Sequence, residues 1–487
     1  MIKEASELKR KKIRKVLITN PASKIKITKE GRVIMPLNIS FETPRMPLSM
    51  ALMAGGLESQ VEVCVIDAVN EELNREQLNK RIAAYQPDLT IINCSTPSIY
   101  EDMAIAGAAR AKGSLTAVFG QHADAIPHEV MESHQEIDFC FIQEPEVVAG
   151  NFVRAWNENK PLQAVPGLAF RQPDNGIMVN DRHPSVSLED FPKPARHLLK
   201  NELYRLPDGD LYTLVLASRG CPYNCPFCIA PPFHGSKLRL REPTSLVAEV
   251  EDVYHTMGIK SFLFQADLFT AHKQWVMEIC ELILAKKLKI RWICNSRVDT
   301  VDEEMLRMMR RAGCFLMAVG IESGSPQMLT ILGKKPDLQK IKWMVNTCHK
   351  VGIKTNGSFV IGYPGETEET LAETEALVMQ LPLDFAVFLT ATPFPGTLFY
   401  QDVTRPDSPY TVHKEWNKFC YVDYTLQGGL PEETVKQFSD RMLRKYFLSF
   451  HYLKLRLSDL KHPVSFAKTI WYASKRFPHL IKAFRNR

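Results

Sequence analysis

The chain has 487 residues, 45% of them hydrophobic and 24% charged, a balance that excludes a disordered or fibrous chain and leaves room for two to four domains. The net charge of +6 is unevenly placed: residues 1–15 carry +5 and residues 451–487 carry +8, so the body between them is about −7. That distribution excludes a main body that wraps nucleic acid. Without a run of about 18 apolar residues, an h-region behind the charged N-terminus or a dense cysteine framework, a cytoplasmic, reducing compartment is expected.

In chain order, KVLITN (15–20), VEVCVIDA (61–68), DLTIINCS (88–95), SLTAVFG (114–120) and IDFCFIQ (137–143) read as strands, with helical spacing between them at 47–56 and 100–113. Strands alternating with helices predict a parallel sheet over about residues 1–165, with any ligand at the carboxyl ends of the strands. A segment rich in Pro, Asp and Asn (171–195) reads as a hairpin and linker, with the linker placed at 166–205. Six strand–helix units follow over 206–400, with strands at 213–218, 260–267, 290–297, 314–323, 355–362 and 384–391. Six such units predict a partial (β/α)6 barrel whose active site lies where the strands end. Residues 401–487 read as mostly helical, with one helix over 431–455 and an aromatic, basic stretch over 463–487.

The strongest chemical signal is SRGCPYNCPFC, which sets Cys221, Cys225 and Cys228 as C-x-x-x-C-x-x-C just after the first barrel strand. Three close thiolates can hold three irons of a [4Fe–4S] cluster and leave the fourth open to a cofactor. A Cys₃His zinc site completed by His234 is the competing reading. This loop, with an aromatic Phe227 before the last cysteine, resembles the signature of the radical S-adenosylmethionine superfamily. The resemblance implies that S-adenosylmethionine chelates the open iron and is cleaved reductively to a 5′-deoxyadenosyl radical.

The resemblance implies further cofactor contacts on the barrel. Asp267, in Gln265-Ala266-Asp267, stands where the family often has a Gly-Gly-Glu-like motif, from which this chain departs. Arg297 ends the third strand and reads either as a cofactor contact or as a structural salt bridge. Glu322 and Ser323 end the fourth strand, where the family commonly places ribose and methionine contacts. GSFVIGYPGE (357–366) is similar to the adenine-contact segment, with Val360 either a cofactor contact or plain core.

An open α/β domain ahead of such a barrel resembles the cobalamin-binding branch of the superfamily, of the anaerobic tetrapyrrole cyclase and hopanoid methylase type. Asp67, the run Ser95-Thr96-Pro97-Ser98 and the run Gly120-Gln121-His122 end successive strands, spaced like the stations of cobalamin domains. The resemblance makes Asp67, Ser95, Thr96, Ser98, Gly120, Gln121 and His122 cofactor-binding residues. Asp67-Ala68-Val69 replaces the usual Asp-x-His, so a lower cobalt face without a His ligand is expected. An empty Rossmann-like domain is the alternative for this segment.

The expected protein is therefore an α/β enzyme in three parts: a Rossmann-like cobalamin domain, a radical S-adenosylmethionine partial barrel and a C-terminal helical region. It uses a [4Fe–4S] cluster, S-adenosylmethionine and cobalamin. Its expected reaction methylates an unactivated carbon or phosphorus through a 5′-deoxyadenosyl radical and methylcobalamin. A radical cyclase or oxidoreductase of the tetrapyrrole-cyclase type is the alternative within the class, and a non-catalytic cobalamin or redox sensor the alternative outside it. A tRNA methylthiotransferase fits less well, because Cys64, Cys94 and Cys140 are too widely spaced for a second cluster motif. The expected partners are a small-molecule or lipid-like substrate and a reductant such as flavodoxin or ferredoxin, with no nucleic acid. The basic C-terminus reads either as a peripheral membrane contact or as a solvated tail.

Overall fold

The computed structural model describes residues 10–457, apart from 24–26, 31–32, 37–43, 183–185, 414 and 422. The chain divides into two compact units, one built mainly from residues 46–201 and the other mainly from 202–231 and 235 onward.

In the first unit, β1 (Lys15–Asn20), β2 (Glu62–Asp67), β3 (Leu89–Asn93), β4 (Leu115–Phe119) and β5 (Phe139–Phe141) form a parallel sheet in the order β2-β1-β3-β4-β5. These strands read as nearly unbroken apolar runs because both faces are covered, as parallel sheets require. The covering helices include α1 (Leu48–Leu57), α2 (Arg75–Tyr85), α3 (Ile99–Arg110) and α4 (Pro145–Asn157). Phe152 on α4 packs at 4.5 Å and 5.5 Å from the rings of Phe139 and Phe141, which joins that helix to the sheet. The order reverses beside β1, which is where an open α/β sheet presents a crevice to a ligand.

The stretch expected as a hairpin and linker also extends the sheet. β6 (Leu168–Arg171) and β7 (Ile177–Val179) add antiparallel to β5 and extend the first sheet. The apolar run Leu168–Phe170 is buried there, because its backbone continues the ladder where no further parallel crossover follows. Its brevity and the polar turn after it hide this role in the sequence.

The second unit holds a six-stranded parallel sheet in sequence order: β8 (Tyr212–Leu216), β9 (Ser261–Gln265), β10 (Arg291–Arg297), β11 (Cys314–Glu322), β12 (Lys354–Ile361) and β13 (Phe385–Thr390). The sheet does not close on itself, so it is a partial barrel. Several of its helices start on side-chain caps: Asp302 accepts from Met305 N ahead of α5 (Glu303–Arg311), and Thr367 forms a capping box ahead of α6 (Glu368–Val378). Trp292, Phe264 and Phe269 fill the core between sheet and helices.

The helix expected over 431–455 is two helices, Glu432–Phe447 and Phe450–Leu457. Ser449 breaks it, because its hydroxyl accepts from Tyr452 N and caps the second helix. A two-stranded hairpin (Thr411–Val412 with Leu426–Gln427) precedes them. The stretch 463–487 lies outside the described residues. Among the described residues no helix is long and apolar enough to cross a membrane.

Candidate functional site

The cysteine loop leaves the end of β8 and is pinned along its length. Gly220 has φ +84°, and a Cβ there would run into the backbone of Lys237 and Gly235. Its N–H donates to Asp267 Oδ2 at 2.7 Å, so the aspartate at the end of β9 fixes the entry to the loop. Cys221 N donates to the carbonyl of Gly235, and Phe399 N donates to the carbonyl of Pro226. The helix-connecting residue Gly333 sits against Asn224 and Cys225. Phe227 is half-buried against the barrel core.

Cys225 is buried, and Cys221 and Cys228 are partly exposed. Cys228 Sγ accepts from Ala230 N at 3.5 Å and Cys225 Sγ from Arg297 Nη1 at 3.4 Å. Donors aimed at sulfur suit thiolate ligands, whose charge they share. Among the described residues no three His, Cys, Asp or Glu side chains stand as ligands of one metal ion. A cubane cluster asks for a different arrangement, one thiolate on each of three irons. The three soft donors of this loop fit that chemistry.

Around the loop, the ends of β10 and β11 bring Arg297, Glu322 and Ser323 to the same side of the barrel. Glu322 sits in the left-handed region at φ +72°, where the β11–β12 register shifts. This turn aims its buried carboxylate at Lys334, 3.0 Å away. A Cβ on Gly320 would displace the Glu322 carboxylate from this position. Ser323 points into the fold instead: its hydroxyl pairs with Thr374 on α6 at 3.0 Å and accepts from Ser325 N. Val360 is buried in the barrel core. An open cleft lies at the ends of β10 and β11, lined by Arg297, Asp299, Gly320, Lys334, Lys335 and Lys340. Lys334 was not predicted; it lies on a loop in GKK, where nothing in the sequence separates it from a solvated lysine.

In the first unit, the named residues gather at the carboxyl ends of β1 to β4. Asp67 accepts from Asn20 at 3.2 Å and from Asn70 at 2.6 Å. Ser95 and Ser98 bond each other at 2.6 Å, and Ser98 donates to Asp102 at 2.6 Å. Asp102 is in turn held by Lys29 at 2.6 Å, an ion pair almost wholly removed from solvent. Two of the predicted hydroxyls thus serve an internal network that shapes the loop. Sequence reading missed Lys29 and Asp102, since an isolated lysine and a helical aspartate carry no motif.

Thr96 Oγ1 and His122 Nδ1 stand 3.1 Å apart, and burial pushes the His122 imidazole down to about 3, so it is neutral near pH 7. Gly120 has φ +117°, and a Cβ would strike the carbonyl oxygen of Cys94. Its neighbour Gln121 is buried at the start of a short helix. Where a ligating histidine would stand, Val69 is buried. The residues present fit a cofactor with a nucleotide-like tail on one count: the buried Asn20 Oδ1 has no hydrogen-bond partner among the described residues.

Three comparisons bear on what such an arrangement does. Residues 215–378 match the family model described as the radical SAM superfamily. An uncharacterized methyltransferase of Pyrococcus horikoshii is 30% identical over 83% of this chain and 87% of its own length. The anaerobic magnesium-protoporphyrin IX monomethyl ester cyclase of Rubrivivax gelatinosus is 25% identical, covering 84% of this chain and 76% of that protein. Among solved structures, the radical S-adenosylmethionine methyltransferase TsrM of Kitasatospora setae, with cobalamin and a [4Fe–4S] cluster bound, aligns with a TM-score of 0.67. It covers 82% of this chain and 77% of its own at 19% identity, a likeness of fold.

Proposed function

The chain belongs to the radical S-adenosylmethionine superfamily, and from that premise we propose that it is a cobalamin-dependent methyltransferase acting on an unactivated carbon or phosphorus centre. The observation that carries this reading is the three-cysteine loop at the mouth of the partial barrel, in a chain similar to a methyltransferase over 83% of its length. When bound, the cluster with S-adenosylmethionine supplies a one-electron reductive cleavage, and cobalamin supplies a methyl group for transfer.

The chain's own residues prepare the site for that chemistry. Cys221, Cys225 and Cys228 hold the cluster, and Asp267 fixes the loop that carries them. Glu322 and Lys334 form a buried pair of opposite charges beside that loop. Those are the signs needed to meet an ammonium and a carboxylate of S-adenosylmethionine. In the first unit, Asn20, Asp67, Thr96, Gly120, Gln121 and His122 line the crevice proposed for cobalamin. Ser95 and Ser98 brace its wall. Val69, in place of histidine, would offer a bound cobalamin no imidazole.

The cyclase relative keeps ring formation as the second reading. The two separate in one assay with methyl-labelled S-adenosylmethionine, supplied cobalamin, strict anaerobiosis and a chemical reductant. A methyltransferase yields S-adenosylhomocysteine alongside 5′-deoxyadenosine and moves label onto the corrinoid. 5′-Deoxyadenosine without S-adenosylhomocysteine or labelled corrinoid favours the cyclase.

The reaction needs a reductant, and a small electron-transfer protein such as flavodoxin or ferredoxin is proposed for that part. A lipid surface is proposed to meet the C-terminal region, where Phe450 is 81% and Leu453 55% exposed ahead of the basic stretch 458–487. Full-length protein is then expected to co-sediment with anionic vesicles, and a chain ending before Pro463 to bind them at least several-fold less. Equal sedimentation would refute the contact.

A further inference from the structure

Arg297 is held by three partners within the protein. Its Nε and Nη2 donate to the two oxygens of Asp299 at 2.9 and 3.2 Å, a bidentate pairing. Its guanidinium carbon lies 3.7 Å above the centre of the Tyr223 ring, in the cysteine loop itself. The remaining terminal nitrogen, Nη1, donates to Cys225 Sγ at 3.4 Å. The residue is 7% exposed.

A salt bridge needs only Asp299. The stack on Tyr223 and the bond to sulfur go beyond it, and both run to the segment between the first and second cysteines. A planar fork can serve carboxylate, ring and sulfur at once, which a lysine cannot. From this geometry we infer that Arg297 is a positioning residue for the cluster's potential: it donates to the Cys225 sulfur and holds a cation against it, while Asp299 and Tyr223 lock its orientation. This inference rests on the cysteine loop holding a [4Fe–4S] cluster.

The physical consequence has a definite sign. Reduction adds one electron to the cluster and so adds negative charge. A buried cation and an N–H donor beside a ligand sulfur favour that reduced state and raise the potential. Burial strengthens the effect, because solvent does not screen it. Removing the guanidinium therefore makes the cluster harder to reduce.

The test is a potentiometric titration of the cluster-loaded, full-length protein, followed by electron paramagnetic resonance. Arg297→Met is expected to lower the equilibrium constant for one-electron reduction about tenfold, a shift of about 59 mV to lower potential. Arg297→Lys keeps the charge without the fork and is expected to fall between the two. It carries the test if the methionine variant fails to hold its cluster. The affinity for S-adenosylmethionine is expected to stay within about threefold of the parent. Unchanged potentials in both variants would overturn the inference. So would a tenfold loss of S-adenosylmethionine affinity at unchanged potential, which would make Arg297 a contact to that molecule. Failure of the parent chain to take up iron and sulfide would instead remove the cluster reading, and the inference with it.

Discussion

Glu366 shows how much a single side chain at the mouth of the barrel can control. It follows the end of β12, and its carboxylate accepts from Gly362 N while its Oε1 is buried without a hydrogen-bond partner among the described residues. Burial pushes this carboxyl from 4.5 up to about 7. The folded chain therefore holds a proton that the unfolded chain has already released between those two values. Its contribution is fully present below pH 4.5 and is lost as pH rises through 7, by up to about 3 kcal/mol for this shift. Glu366→Gln removes that slope. Denaturant unfolding at pH 5 and pH 8 should show the variant gaining on the parent at the higher pH; an equal difference at both would contradict the assignment. The segment GSFVIGYPGE was legible in the sequence as a stretch at the active face. The tuning of Glu366 was not, because it comes from burial, which a motif does not encode. Glu322 is similar: its place at a strand end could be read, but not its left-handed backbone or its partner Lys334.

At the level of elements, strands β1 to β5 and β8 to β13 stand close to where periodicity and apolar runs put them. Buried parallel strands are short and continuously apolar, so their signal is local and survives in one sequence. What the sequence did not show depends on distant partners. The expected hairpin joins the first sheet because β5 offers it an edge, and the break at Ser449 depends on one hydroxyl. The short strand Ile27–Glu30 belongs to the same class: it delivers Lys29 to Asp102, 73 residues away, behind the Ser95–Ser98 turn. Breaking a buried pair from one side leaves an uncompensated charge, at a cost of about 3–5 kcal/mol. Lys29→Met should therefore lower stability by that order and loosen the turn at Ser95. Chemical denaturation measures the first effect and hydrogen exchange across residues 95–102 the second. A loss below about 1 kcal/mol would mean that the pair is not closed in solution.

At the scale of the whole molecule, the charge pattern and the site belong together. The acidic body carries both cofactor-type sites, and the basic surplus is confined to the ends. The order of the parts was legible because strong local signals mark each one: strand-end glycine and serine stations in the first unit, and a three-cysteine loop in the second. What the substrate is was not legible, since the described residues past 400 form packed aromatics and helices without a chemical motif. The central claim is that the cysteine loop holds a catalytic iron–sulfur cluster. Anaerobic reconstitution of the parent chain and of Cys225→Ser, followed by iron and sulfide analysis and assay of 5′-deoxyadenosine, tests it most directly. About four irons per chain and reductant-dependent 5′-deoxyadenosine in the parent, with both lost in the variant, is the predicted result. A parent chain that binds zinc in place of the cluster and releases no 5′-deoxyadenosine would contradict it.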